Sequence, residues 1–121
     1  GDNGAVRNFG AVGRSETTMT DWLGYGDSQD VFKFTADSNG ILSLDVSKFG
    51  EDLDLAKIKV KVQDANGKTV SMSKVKGSSI ETGFLYNSKK TLITGSEYTV
   101  TLSISNEKKY KADYSLGLAI V

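Results

Sequence analysis

The feature that most constrains this chain is a two-residue alternation of apolar and polar side chains, repeated along its length. Phe32, Phe34 and Ala36 alternate with Val31, Lys33 and Thr35; Leu42, Leu44 and Val46 with Ser43, Asp45 and Ser47. Ile58, Val60 and Val62 alternate with Lys57, Lys59, Lys61 and Gln63, and Tyr98, Val100, Leu102 and Ile104 with Thr99, Thr101 and Ser103. Tyr114, Leu116, Leu118 and Ile120 close the chain in the same rhythm. Successive strand residues point to opposite faces, so each stretch has one core face and one wet face. No segment keeps the 3.6-residue apolar period of a helix. The pattern predicts an all-β fold.

Turn signals divide these stretches about every ten residues. Asp37-Ser38-Asn39-Gly40, Asp64-Ala65-Asn66-Gly67, Lys76-Gly77-Ser78-Ser79 and Thr94-Gly95-Ser96 carry the residues that tolerate turn geometry. Phe32–Ala36 and Leu42–Val46 read as a hairpin, and Val70 with Met72 as the return strand from Asn66-Gly67. Weaker strands are expected through Ile80, Phe84 and Leu85, and through Thr91, Leu92 and Ile93. The threonine-rich run Glu16–Thr20 reads as another strand. Residues 1–14 read as a loosely ordered lead-in with one short strand, anchored by Ala5, Val6, Phe9 and Val12. Eight to ten short strands mean a sandwich or barrel, one domain over residues 1–121. Proline is absent, so edge strands need other protection, which Lys57, Lys59 and Lys61 supply. No internal repeat is visible, no apolar run approaches the roughly 18 residues of a membrane span, and no signal-peptide pattern is present.

Composition then removes whole classes of chemistry. The chain has no cysteine and no histidine, which excludes disulfides, Ser-His-Asp and Cys-His catalysis and the usual zinc sites. A bound metal should therefore be a hard, oxygen-seeking cation such as calcium. Fifteen basic and fifteen acidic residues cancel, so no overall field favours nucleic acid or an anionic membrane. The lysines of 57–61, with Lys89, Lys90, Lys108, Lys109 and Lys111 elsewhere, read as solvated charge rather than as a nucleic-acid surface, because aromatic interleaving is missing from the stripe.

The functional signal is concentrated in Asp21-Trp22-Leu23-Gly24-Tyr25-Gly26-Asp27-Ser28-Gln29-Asp30, just ahead of the Phe32 strand. Asp27 and Asp30 sit three apart on a turn. Two carboxylates so placed supply part of the six to eight oxygens that calcium takes, with Asp21, Ser28 or backbone carbonyls adding more. The alternative is turn chemistry, since aspartate caps turns through backbone N–H groups. Trp22 reads first as a plug at one end of the sandwich and Tyr25 as an exposed ring in a glycine-flanked loop. Together they could form a ligand platform, with Tyr86 and Tyr110 as further loop tyrosines. Glu51, Asp52 and Asp54 make a second acidic loop, read as structural rather than as a metal site or a glycosidase-type pair.

Several segments together resemble one family. Gly26-Asp27-Ser28-Gln29-Asp30-Val31-Phe32-Lys33-Phe34 resembles the G-D-x-x-D-Y-[YF]-x-F signature of bacterial pre-peptidase C-terminal (PPC) domains, with Val31 in place of the usual tyrosine. Leu53-Asp54-Leu55 followed by Val62-Gln63-Asp64-Ala65-Asn66-Gly67, then Gly95-Ser96-Glu97-Tyr98-Thr99-Val100, and finally Tyr114-Ser115-Leu116-Gly117-Leu118 are similar to its later segments in the same order. Trp22-Leu23-Gly24-Tyr25-Gly26 also resembles copies of this module in large secreted repeat proteins. The resemblance implies a jelly-roll-like antiparallel β-sandwich, non-catalytic and appended to a secreted or cell-surface bacterial protein. It implies Asp27 and Asp30 as calcium ligands, as in the related collagen-binding domains of clostridial collagenases. The expected partner is a protein or carbohydrate, with no nucleic acid and no membrane insertion, and the isolated domain is expected to be monomeric. A carbohydrate-binding module using Tyr25 and Trp22, and a spacer or assembly domain of a repeat-containing adhesin, are the alternatives.

Overall fold

A computed structural model describes residues 1, 4–48, 57–75, 83–106 and 108–121. The acidic loop of Glu51, Asp52 and Asp54, the turn at 76–79 and Ile80 lie outside the described residues. Ten strands run in order: β1 Val6–Val12, β2 Thr17–Gly24, β3 Gln29–Ala36, β4 Gly40–Lys48, β5 Ile58–Asp64, β6 Thr69–Val70, β7 Met72–Lys74, β8 Gly83–Leu92, β9 Glu97–Ile104 and β10 Lys111–Ile120. They form two five-stranded sheets, β1-β3-β9-β5-β6 and β2-β10-β4-β8-β7. Setting aside the short strands β6 and β7, the chain alternates between sheets as a jelly roll does, with β10 lying between β2 and β4. Pairing is antiparallel except for β1, which runs parallel to β3.

Alternation builds the core as expected. Phe32, Phe34, Ala36, Leu42, Leu44, Val46, Val100, Leu102, Leu116, Leu118 and Ile120 are buried between the sheets. Phe34 stacks on Tyr98 at 5.5 Å between ring centroids, and Phe9 meets Phe32 edge-on at 6.0 Å.

Connectivity departs from the sequence reading in three places. Phe32–Ala36 and Leu42–Val46 are not a hairpin: β3 pairs with β1 and β9, while β4 pairs with β10 and β8 in the other sheet. Val70 and Met72 do not share one return strand. β6 pairs with β5, the chain crosses sheets at Ser71, and β7 pairs with β8. Thr91 and Leu92 belong to the single ten-residue strand β8. The lead-in is also firmer than its glycines suggested. Asn8 and Gly10 flank a register shift in β1, and this bulge lets Phe9 and Val12, three apart, both reach the core.

A second irregularity is built around a buried hydroxyl. Between Ile41–Thr91 and Ser43–Asn87 the β4–β8 register shifts, so residues 88–90 face Leu42. Ser88 is buried, accepts the Leu42 N–H at 2.9 Å and donates to the Lys90 carbonyl at 2.7 Å. Ser88→Ala leaves a buried N–H without its acceptor, a cost of about 1–3 kcal/mol. The expected result is a lower urea midpoint with an unchanged slope; an unchanged midpoint would show that water replaces the hydroxyl.

Candidate metal centre

Asp21, Asp27 and Asp30 converge at one end of the sandwich from three pieces of chain. Asp21 lies on β2 in phase with the inward-facing Met19 and Leu23. Asp30 opens β3 in phase with Phe32 and Phe34 and is itself buried. Asp27 sits between them on a tight turn. Gly24 and Asp27 exchange backbone hydrogen bonds of 2.8 and 3.1 Å around Tyr25 and Gly26, whose φ angles are 50° and 97°. Two positive φ angles in a two-residue loop are the type I′ pattern. A tyrosine held at positive φ is uncommon, and here the reciprocal bonds and Tyr25 N–H to the Tyr110 carbonyl hold it.

The three carboxylates surround one cationic nitrogen. The Gly1 ammonium lies 2.7 Å from Asp21 Oδ1, 3.1 Å from Asp27 Oδ2 and 2.8 Å from Asp30 Oδ1. It stands where positive charge is most favoured. Oxygens that share that nitrogen lie within about 6 Å of each other, where like charges repel by roughly 3 kcal/mol at an effective dielectric near 20. Arg7, from β1, donates to Asp21 Oδ2 and spreads its guanidinium over the Phe32 ring, 4.8 Å from the centroid. The fully buried Tyr114 hydroxyl, from β10, donates to Asp30 Oδ2.

Three carboxylates thus face two cations, and the imbalance is visible in their acidity. Burial pushes the Asp30 carboxyl above the ordinary range, and Asp21's charge adds to this against the ammonium and Tyr114. For Asp21, burial is outweighed by the ammonium, the Trp22 backbone N–H and Arg7, which hold its carboxyl below the ordinary range. Burial likewise opposes the Gly1 ammonium, but the surrounding carboxylates of Asp21, Asp30 and Asp27 raise it. Burial and the bond to Asp30 push the Tyr114 phenol far above its usual range, so it stays a donor. Both side-chain oxygens of Asp27 are buried and accept no hydrogen bond. The ammonium near Oδ2 is a charge neighbour only.

The donor set suits a hard divalent cation. Calcium favours carboxylate oxygens at about 2.3–2.6 Å. The three side chains are spaced for an ammonium, and no group of three or more carboxylates among the described residues is a ready-made metal site. With Arg7 retained, a divalent ion would balance the three charges. The Ser28 carbonyl is already used by the Ile104 N–H at 3.0 Å.

The aromatic candidates border this end. Trp22 is not the expected plug: it points outward from β2 and is 37% exposed, while Leu23 and Tyr114 fill the interior. Its indole lies against Gly1, and Lys111 Nζ is 5.8 Å from the ring. Tyr25 is 66% exposed. Among the described residues the two rings make no stacking contact with each other. Lys57 and Lys109 flank Tyr110, at 4.9 and 5.3 Å from its centroid. Sequence reasoning missed Arg7 and Tyr114. A tyrosine inside an otherwise aliphatic core stripe needs a hydrogen-bond partner, and that was the available signal for Tyr114.

No family model and no curated protein matches the chain. Its structure resembles the pre-peptidase C-terminal domain of collagenase from Bacillus anthracis, with a TM-score of 0.63 over 98% of this chain and 96% of that one, at 14% identity. The periplasmic g-type lysozyme inhibitor PliG of Salmonella Typhimurium aligns at a TM-score of 0.48 and 16% identity, over 92% of this chain and 98% of that one. A β-glucosidase from Paenibacillus barengoltzii aligns at 0.44 and 13% identity, over 94% of this chain and 11% of that one. The chain has the PPC-type sandwich fold that the sequence resemblance implied.

Proposed function

We propose that this domain is a non-catalytic accessory module of a secreted or cell-surface bacterial protein. In this reading calcium, held by Asp21, Asp27 and Asp30, stiffens the loop end that carries Trp22 and Tyr25. The observation that carries it is the convergence of three inward carboxylates in which both Asp27 oxygens are buried without hydrogen bonds. Fold likeness to a domain of a collagenase supports the accessory role. The exposure of Trp22 and Tyr25 beside the carboxylates favours a carbohydrate or protein ligand at this end.

Trp22 is the only tryptophan and lies beside the cation position, so its emission reports binding there. Titrating calcium into chelator-treated protein is expected to give a saturable change in Trp22 fluorescence that magnesium does not reproduce. A flat titration would remove calcium from the reading. The ligand surface is tested separately: Tyr25→Ala should weaken retention on the parent protein's substrate without changing the calcium titration, and Trp22→Ala should weaken retention with its calcium response, read from the melting temperature, unchanged.

A further inference from the structure

We propose a second ligand site, for an anionic saccharide, in a cleft at the far end of the sandwich from the carboxylates. The cleft has a volume of about 320 Å³, within the range of small-ligand pockets. It opens where the chain leaves β6 in one sheet and joins β7 in the other, and Lys89 N–H binds the Ser71 carbonyl at 2.9 Å beside it. Leu92 and Tyr98 are its buried lining residues, and Lys68, Lys89 and Lys90 border it with hydroxyls from Thr69, Ser71 and Thr91; three ammoniums there outnumber the one lining carboxylate, Asp64, whose Oδ1 is taken up by backbone N–H groups.

Its basic border is built rather than incidental. Adjacent strand residues normally face opposite sides of a sheet. Lys89 and Lys90 both border the cleft because they lie in the bulge held by buried Ser88. Bulges commonly re-aim side chains beside sites. Lys68 arrives from the Asn66-Gly67 turn, whose geometry Asp64 fixes by accepting the N–H groups of Asn66 and Lys68 at 2.9 and 3.0 Å. Among the described residues, Lys68, Lys89 and Lys90 have no carboxylate partner, whereas Lys33 and Lys111 do. Gathered unpaired ammoniums repel one another and gain when an anion joins them.

Ammoniums interleaved with hydroxyls match a sugar carrying carboxylate or sulfate groups. An acidic peptide is a poorer fit, because strand addition needs an extended edge, and β6 and β7 offer two and three residues.

The test is binding of the whole chain to oligogalacturonate and to a sulfated oligosaccharide, with neutral dextran and polyglutamate alongside. Binding to either anionic saccharide, absent for dextran, is expected, and the two arms identify which anion the cleft takes. Lys89→Ala with Lys90→Ala should weaken it more than tenfold. The control pair Lys59→Ala with Lys61→Ala, on the outer face of β5, should change it less than twofold. Equal losses in the two pairs would reduce the effect to net charge and overturn the site. No binding to either saccharide, or polyglutamate binding as tightly, would overturn the ligand class. None of these outcomes depends on calcium at the other end.

Discussion

Gly24→Ala is expected to destabilise the domain by on the order of 4 kcal/mol. Gly24 has a φ of 109°, a conformation that a side chain makes costly, by about 1–3 kcal/mol. A Cβ there would also stand 1.9 Å from the Tyr110 carbonyl oxygen and 2.6 Å from the Lys111 Cα, both backbone atoms that cannot rotate away. Overlap of this kind adds about 1–3 kcal/mol or more. Against a typical domain stability of about 5–15 kcal/mol, much of the folded margin disappears. Gly26→Ala separates the two contributions. Gly26 has a similar φ of 97°, but a Cβ there would have nothing within 4 Å, so it should lose only the backbone part. Urea midpoints for the pair give the comparison. Equal losses would mean that the close packing of β2 on β10 at Gly24 is not decisive. Because the Gly24–Asp27 turn aims Asp27, Gly24→Ala should also abolish the calcium response of whatever fraction stays folded.

Strand identity was legible because period-two alternation is a local property, and it named most of the core. Partner choice was not. Nothing in Phe32–Ala36 or Leu42–Val46 says that the intervening turn crosses between sheets rather than folding back within one. Bulges were hidden for a related reason. Phe9 and Val12 look out of phase for one strand face, and only the shift at Asn8–Gly10 reconciles them. The grouping of Asp27 and Asp30 was legible because they are close in sequence, with Asp21 a named candidate, and the structure brings the three carboxylates together. Arg7 and Tyr114 come from β1 and β10, distant in sequence, so no local pattern ties them to the turn. Trp22 was misread although the signal existed. Met19, Asp21 and Leu23 share one parity, which places Trp22 on the opposite, outer face.

Calcium at saturating concentration is expected to raise the melting temperature by about 10 °C. A ligand at a hundredfold excess over its Kd stabilises by about 2.7 kcal/mol, and a domain of this size gains roughly 3–6 °C per kcal/mol. Asp27→Asn decides whether the metal or the turn accounts for Asp27. Its carboxylate oxygens accept no hydrogen bond, and losing the charge trades repulsion with Asp21 and Asp30 against attraction to the Gly1 ammonium 3.1 Å away. Without calcium the variant should melt close to the parent; with calcium its increment should vanish. A loss of equal size with and without calcium would assign Asp27 to turn chemistry. The pH dependence has an opposing pair of signs in metal-free protein. Asp30's raised pKa means the fold holds its proton more tightly than the unfolded chain, so its contribution falls as pH rises from about 4 through the folded value. Asp21's lowered pKa contributes stability above about 4 that is lost as pH falls through the folded value. Calcium requires all three groups ionised, so its increment should be full near neutrality and shrink steadily toward pH 4. Melts across that range with calcium and with EDTA should therefore converge on acidification, and parallel curves would separate the increment from these carboxylates.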